Sequence, residues 1–410
     1  MGQIHPKGTL NARTSSATHT CVYYGPPDIL DEETEQTIEQ IRSNDSTARF
    51  VYLLQKNLRD HGALRVSEAL KQNNIVERLY LSDNNIGDEG IKALSEALKE
   101  NITLQSIWLI GNDISIDGVV ALSEALKLNT TLKEIDLTHI HLRKDGAVVL
   151  SDALKQNTSL EYVNLGGTYL GKEGAFALSE VLKQNKTLRA MYLPRNDIGK
   201  EGMIALSEAL KQNDTLQGIH LGRNNIAKEG MIALSEVLKE NSSLQRIGLH
   251  DNNVGDAGAI ALSEALKRNN TLQWINLQWN SIGNEGVIAL SEALTYNCTL
   301  QLLDLESNKI GNKGAKALAN ALKQNKAVQR IWLGANKFGN SGERALVDTI
   351  REWNWTLTEL DLGPKLDVED DPIRKTLNEV LDRNKAGLQS ENEAHRQVHT
   401  GSKDLNELKK

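Results

Sequence analysis

The chain has 410 residues and a formal net charge of −7, too mild an excess to point to nucleic acid or a membrane surface as partner. Its 39% apolar and 25% charged residues are the balance of a folded soluble protein. With two cysteines, Cys21 and Cys298, no disulfide framework is available, and no apolar run approaches the ~20 residues that span a bilayer.

Residues 1–30 mix Ser, Thr, Gly and Pro without periodicity, which predicts a disordered tail. The start, MGQIHPKGTLNART, lacks the apolar core of a signal peptide. Pro6 stands where a myristoylation motif needs Ser or Thr, so a cytoplasmic location is expected. Residues 31–47 contain Asp31–Asn44, DEETEQTIEQIRSN, with acids at the start and Ile38 and Ile41 on one side. That pattern predicts a capping helix over the open edge of the segment that starts at Ala48.

From Ala48 the chain repeats itself. Units begin at Ala48, Val76, Leu104, Leu132, Leu160, Leu188, Leu216, Leu244, Leu272, Leu300 and Val328, each 28 positions after the last. The repeats fill residues 48–356. A twelfth, degenerate unit starts at Leu357, where Pro364 and Lys365 replace the turn chemistry. Asp370–Asn384 reads as a closing helix, so residues 357–386 form a C-terminal cap, with Trp353 and Trp355 as its packing. Residues 387–410 are polar and read as a loose tail.

Each unit has two halves. Leu244, Ile247, Leu249 and Asn252 open one, and Ile247-Gly248-Leu249 alternates as a strand does. A Gly-x-Glu-Gly turn leads to the second, where Gly202, Ala205, Leu206, Ala209 and Leu210 share one face of a short helix. Repetition at a period of 20–50 residues is the signature of a solenoid. Parallel strands stack about 4.7–4.9 Å apart while helices need about 10 Å. The sheet must therefore line the inside of a curve.

The run from Asn280 to Leu290, Asn-x-Ile-Gly-x-Glu-Gly-x-x-Ala-Leu, resembles the leucine-rich repeat of the ribonuclease-inhibitor-like class. The resemblance implies an α/β leucine-rich repeat horseshoe solenoid of about 12 repeats, each of about 28 residues, with a concave parallel sheet and convex helices. The chain is similar to the repeat region of NOD-like receptors, which implies a protein-interaction role. No cysteine-rich composition accompanies it, unlike ribonuclease inhibitor itself.

Three repeated positions carry structural expectations. Asn101, Asn157 and Asn297 lie in N-x-Ser/Thr triplets, one per unit, and are read as residues closing each helix in the left-handed conformation rather than as glycan acceptors. The ninth residue is Asn at 84, 112, 196, 224, 252, 280, 308 and 336, a ladder that satisfies buried backbone groups. Ile140 and Thr168 interrupt it, and local repacking is expected there. On the outer wall Ser207, Glu208 and Lys211 recur with little change, as suits a uniform solvated surface.

Catalytic and metal patterns are absorbed by the repeat. Gly166–Lys172 fits the first seven residues of a phosphate-binding loop, but Glu173 takes the place of the metal-binding Ser or Thr. Asp136, His139 and His141 lie close together without a fourth ligand. The expectation is no enzymatic activity, no cofactor, no metal and no small-molecule substrate.

The third, fifth, seventh and eighth residues of each unit face or border the concave side. Nine of the 17 aromatic residues fall at these 48 positions, where even scatter would put about two. Phe50 and Tyr52 begin the series. Tyr80, Trp108, Tyr162, Tyr192, Trp274, Trp279 and Trp332 complete it and are candidate partner-binding residues. Arg195, Arg223 and Arg246 join His220 and His250 in a central basic patch, with the histidines expected to add pH sensitivity near neutrality. Glu134 and Asp136 flank it on one side, Asp304 and Glu306 on the other. The expected function is a non-catalytic scaffold or sensor that binds a protein on its concave face. The alternative is a GTPase-activating protein similar to Ran GTPase-activating proteins, although their strongly acidic tail is reduced here to Asp367–Asp371.

Overall fold

The computed structural model describes residues 29–364, 371–387 and 389. The N-terminal tail expectation, apart from Ile29 and Leu30, lies outside the described residues. So do most of the C-terminal tail, Lys365 and nearly all of the short acidic patch.

Twelve three-residue strands form one parallel sheet in sequence order: β1 Phe50–Tyr52, β2 Arg78–Tyr80, β3 Ser106–Trp108, β4 Glu134–Asp136, β5 Tyr162–Asn164, β6 Ala190–Tyr192, β7 Gly218–His220, β8 Arg246–Gly248, β9 Trp274–Asn276, β10 Leu302–Asp304, β11 Arg330–Trp332 and β12 Glu359–Asp361. Each residue pairs with the one 28 positions on, as Ile219 does with Ile247. The last step, Arg330 to Glu359, is 29. The result is an α/β solenoid with an open sheet.

The helices line the other side: α1 Glu32–Arg42, α2 Arg59–Lys71, α3 Asp88–Glu100, α4 Ile116–Leu128, α5 Arg143–Gln156, α6 Gly171–Gln184, α7 Gly199–Leu210, α8 Ala227–Leu238, α9 Gly255–Leu266, α10 Asn284–Leu294, α11 Asn312–Leu322 and α12 Asn340–Trp353. A final helix, α13, spans 372–387. The middle residue of each strand and the buried apolar residues of the helices form one continuous core. Close helix packing depends on the turn glycine. A Cβ at Gly202 would lie 2.8 Å from that of Ala175 in the preceding helix.

The ninth-residue asparagines form the ladder. Asn224 Nδ2 donates to the carbonyls of Leu193 and Leu221 at 2.7 and 2.9 Å, and its Oδ1 accepts from the Asn196 N–H at 2.9 Å. Where Ile140 breaks the ladder, the turn closes on itself through Ile140 N–H to the Leu137 carbonyl and Leu142 N–H to the Ile140 carbonyl. Thr168 keeps part of the role, its hydroxyl donating to the Leu165 carbonyl at 2.7 Å.

The helix-closing asparagines correct one expectation. Asn101 and Asn157 have φ of −74° and −69° with extended ψ, so neither is left-handed. Asn101 Nδ2 bridges to the Leu70 and Asn73 carbonyls of the preceding unit, and its Oδ1 accepts the Thr103 and Leu104 N–H groups. Asn is needed there as a buried two-way hydrogen-bonding group. Asn101, Asn157 and Asn297 are all buried with that amide in use, which closes them to glycans.

From α3 to α12, helix starts fall into two kinds. For α3, α4, α10, α11 and α12, a side chain of the preceding unit caps the helix. Asp256 Oδ1, for example, accepts the Gly283 and Gly286 N–H groups at 2.6 and 3.0 Å. The preceding unit offers Ile116, Lys144, Lys172, Lys200 or Lys228 to α5–α9, and these helices begin on a positive-φ residue instead. That residue is Gly171, Gly199 and Gly255 in three of them but Ala227 in α8, at φ 58°. Ala227→Gly should relieve the strain and raise the urea midpoint by the equivalent of about 0.5–1 kcal/mol. An unchanged or lowered midpoint would show that α8 begins otherwise.

α1 is in register with this row. Thr34, Ile38 and Ile41 are buried at the positions that Gly62, Val66 and Ala69 hold one unit later. Lys56, where the first ladder Asn would stand, reaches back to Glu33, and Arg65 pairs with Glu35. α1 covers the core but not the strand. Among the described residues, β1 pairs only with β2. At the other end Arg383 of α13 stacks 3.5 Å over the Trp355 ring and donates to the carbonyls of Ile350, Arg351 and Asn354.

Candidate functional site

The third and fifth residues of each unit stand in two columns across the concave sheet, flanking the buried middle residue. Side-chain size along these columns makes the relief. Ala190, Gly218 and Gly248 are small, and around them Tyr192, His220, Arg246 and Trp274 rise. Together with Gln273, Gln301, Leu302 and Arg330 they line a hollow of about 350 Å³.

Its aromatic floor is ordered. The His220 ring stacks on Tyr192 at 4.5 Å and 17°, and lies 5.2 Å from the Trp274 ring. Gly248 makes this possible, since a Cβ there would sit 2.8 Å from His220 Nδ1. Burial, with help from His250 and Arg246, pushes the His220 pKa down to about 4. Burial and then Arg223 also lower His250, whose ring lies over Gly222, against the opposing pull of Asp251. This corrects the expectation of pH sensitivity near neutrality, because burial keeps His220 uncharged there. Burial raises the Tyr192 hydroxyl as well.

The basic residues separate into two groups. Arg246 projects from β8 into the hollow, and among the described residues no ion pair engages it or Arg330. Arg195 and Arg223 sit on the rim at φ 58°, and Arg223 pairs with Asp251 at 3.3 Å.

Of the remaining aromatic residues, Tyr162 lines a second hollow together with Tyr192, and the others lie apart from this tier. Tyr80 is buried between Tyr52, stacked at 4.6 Å, and Trp108, edge-on at 4.5 Å. The Trp108 indole N–H is buried without an acceptor among the described residues. Tyr162 is exposed beside the acidic floor of Glu134 and Asp136, which is itself committed. Asp136 accepts from Thr138 N–H and Asn164 Nδ2, and Glu134 accepts from the Ser106 hydroxyl. Trp279 stands on the rim, 60% exposed. Trp332 is tied down, its indole N–H donating to Glu359 Oε1 at 2.7 Å.

Asp304 is buried on the acidic side and accepts the Glu306 N–H at 3.0 Å. Burial, reinforced by Glu306 and Asp361, raises its pKa to about 6. The folded state therefore favours the protonated acid. Its contribution to stability is complete below about pH 4 and lost as pH rises through 6. Asn already occupies the same column at Asn164 and Asn276, accepting the corresponding N–H at 3.1 and 2.9 Å. Asp304→Asn should stabilise the protein at pH 7 by roughly 2 kcal/mol and have little effect at pH 4. Equal effects at both pH values in urea titrations would contradict the burial of a charged carboxylate.

A family model described as TMOD/LMOD Leucine-rich domain matches residues 31–144 and again 145–250, together over half of the chain. A second, described as Leucine Rich repeat, matches 240–263, 268–291 and 296–319. The chain belongs to the leucine-rich repeat family. Among solved structures, one titled "Leiomodin-1 Actin-Binding Site 2 (ABS2)" is 22% identical at a TM-score of 0.37, covering 42% of this chain and 97% of that one. A tropomodulin C-terminal domain from Caenorhabditis elegans is 17% identical at a TM-score of 0.35, covering 40% and 98%. No curated protein matches the chain.

Repeat geometry accounts for the loop at Gly166–Lys172. Its N–H groups, which a phosphate loop would aim at its ligand, are spent on the neighbouring repeat. Gly167 donates to the Pro194 carbonyl, Gly171 to the Asn196 carbonyl, and Thr168 and Leu170 to Asn196 Oδ1. His139 and His141 do not converge. The His139 ring covers Gly167, while His141 meets Tyr169 edge-on at 5.0 Å. Both histidines line a hollow of about 630 Å³ beside the break in the asparagine ladder.

Two features escaped the reading of the repeats. Arg330 holds the same third position as Arg246 and was legible by the same rule. The outer wall is also less uniform than its Ser-Glu-Lys pattern suggests. Val120, Val148, Phe176, Ile204, Ile232, Ile260 and Ile288, one per leucine-rich repeat, form an exposed apolar row across α4–α10. The signal was the seventeenth position, where Lys92 and Lys316 bound the row.

Proposed function

We propose that the chain is a non-catalytic scaffold or sensor that holds a protein partner in its concave face, acting in the cytoplasm. One observation carries this reading. Tyr192, His220 and Trp274 form an ordered, half-open aromatic tier, with Arg246 and Arg330 beside it free of ion pairs among the described residues. Aromatic and arginine side chains dominate protein interfaces when a partner buries them. An uncharged His220 adds a hydrogen-bonding group without a charge to desolvate. The acidic stretch of Asp304, Glu306 and Asp361 adjoins the tier and supplies a second polarity for register.

Among the described residues no helix is long and apolar enough to cross a membrane. Capture of partners from native lysate by the intact chain, by Trp274→Ala with Arg246→Ala, and by Ile204→Asp with Ile232→Asp on the outer wall tests the reading. The concave variant should lose the specific partner and the outer variant should keep it. Stimulation of GTP hydrolysis by a captured GTPase would replace scaffolding with GTPase activation.

A further inference from the structure

Arginine stands at both ends of the concave hollow. Across the strands, the third position reads Arg246, Trp274, Leu302 and Arg330 on β8–β11. The two ends are exposed cations, and the middle is the half-buried Trp274 and the buried Leu302. Neither cation has a partner carboxylate among the described residues. Glu359 stands beside Arg330 on β12 but accepts the Trp332 indole N–H instead. Unpaired guanidinium groups on either side of an apolar floor are complementary to carboxylates that flank an apolar side chain.

The rows on either side differ in kind. The second position holds Gln245, Gln273, Gln301 and Gln329. Among the described residues only the backbone groups of Gln273 and Gln301 are engaged, which leaves their side-chain amides free beside the hollow. The fifth position holds Asn276, Asp304 and Asp361, with Trp332 between the two acids. Carboxylates of a ligand are repelled on that side and offered amide donors on the other, which confines an acidic segment to the third position.

We propose that this row holds an extended acidic segment of the protein partner, of the pattern acid-x-apolar-x-acid, an assignment that rests on the concave-face reading. Three strand steps of about 4.7–4.9 Å separate Arg246 from Arg330 by about 14 Å. In an extended chain, alternate side chains share a face, and residues i and i+4 lie about 13 Å apart. One carboxylate then meets Arg246, the other meets Arg330, and the apolar residue midway rests between Trp274 and Leu302. A helix fits poorly. Its face recurs after seven or eleven residues, at about 10.5 or 16.5 Å, and neither spacing matches the two arginines. The backbone of the extended segment runs across the strands, beside the Gln273 and Gln301 amides.

Calorimetry on the full chain tests this with three end-blocked peptides at low and physiological salt. Ser-Glu-Thr-Leu-Thr-Glu-Ser is the matched probe. Ser-Glu-Thr-Leu-Glu-Thr-Ser turns its second acid to the opposite face, and Ser-Lys-Thr-Leu-Thr-Lys-Ser reverses the charge. The matched peptide should bind about tenfold more tightly than the shifted one and lose affinity as salt rises, and the lysine peptide should not bind. Arg246→Gln and Arg330→Gln, both at exposed positions, should each weaken the matched peptide about tenfold and leave the urea midpoint unchanged. No binding of the matched peptide at millimolar concentration would overturn the proposal. So would equal affinity for the matched and shifted peptides, tighter binding of the lysine peptide, or binding indifferent to both arginines. Capture from native lysate separates this proposal from the concave-face reading. A partner lost by Trp274→Ala but held by the double arginine variant would overturn the acidic segment and leave the concave face standing. A partner held by both variants would overturn the concave face as well.

Discussion

Asn252→Ala is expected to lower stability by about 4 kcal/mol. Asn252 is fully buried. Its Nδ2 donates to the Leu221, Leu249 and His250 carbonyls at 2.8, 3.0 and 3.2 Å, and its Oδ1 accepts the Asn224 and Ile226 N–H groups at 2.9 and 3.3 Å. Alanine leaves buried donors and acceptors on two adjacent units without partners, each at a cost of about 1–3 kcal/mol. Repeats bury their faces only against neighbours, so the damage should propagate along the solenoid. Glu208→Ala, on the exposed wall, should change stability by less than about 0.5 kcal/mol. Similar urea midpoints for the two variants would contradict the ladder.

Trp274→Ala should weaken partner binding by at least about 2 kcal/mol, roughly thirtyfold, while leaving the fold intact. The side chain is half-buried, and its strand is held by the buried Ile275 and by the backbone ladder rather than by the indole. Truncation removes the far wall of the hollow that His220 and Tyr192 begin. Trp332→Ala should do less to binding than Trp274→Ala, because the Trp332 indole is already occupied by Glu359. Arg195→Ala and Arg223→Ala, on the rim, should chiefly slow association and reduce its salt dependence. Equal losses for Trp274→Ala and Arg195→Ala would remove the central tier from the account.

The constant repeat period carried the fold. Strand register, helix positions and the asparagine ladder all follow from one unit repeated, since each burial requirement recurs at the same place. What varies between units was less legible. The left-handed conformation expected at Asn101 failed because the amide's hydrogen bonds to the preceding unit, visible only in three dimensions, decide its backbone. Sequence spacing grouped Arg195, Arg223 and Arg246, yet only Arg246 enters the hollow, because the other two sit where the chain turns off the sheet. Likewise the placement of the His220 ring depends on the absence of a side chain at Gly248, which no residue count conveys. The apolar row from Val120 to Ile288 was written plainly at one repeat position and masked by the charged residues around it.

The most direct test is covalent footprinting of the full chain, alone and in the complex captured from native lysate. Loss of labelling at Tyr192, His220 and Trp274 on complex formation, with the row at Ile204 and Ile232 unchanged, is the expected result. Protection of that outer row, with Trp274 labelled as in the free chain, would place the partner on the convex side and contradict the concave site.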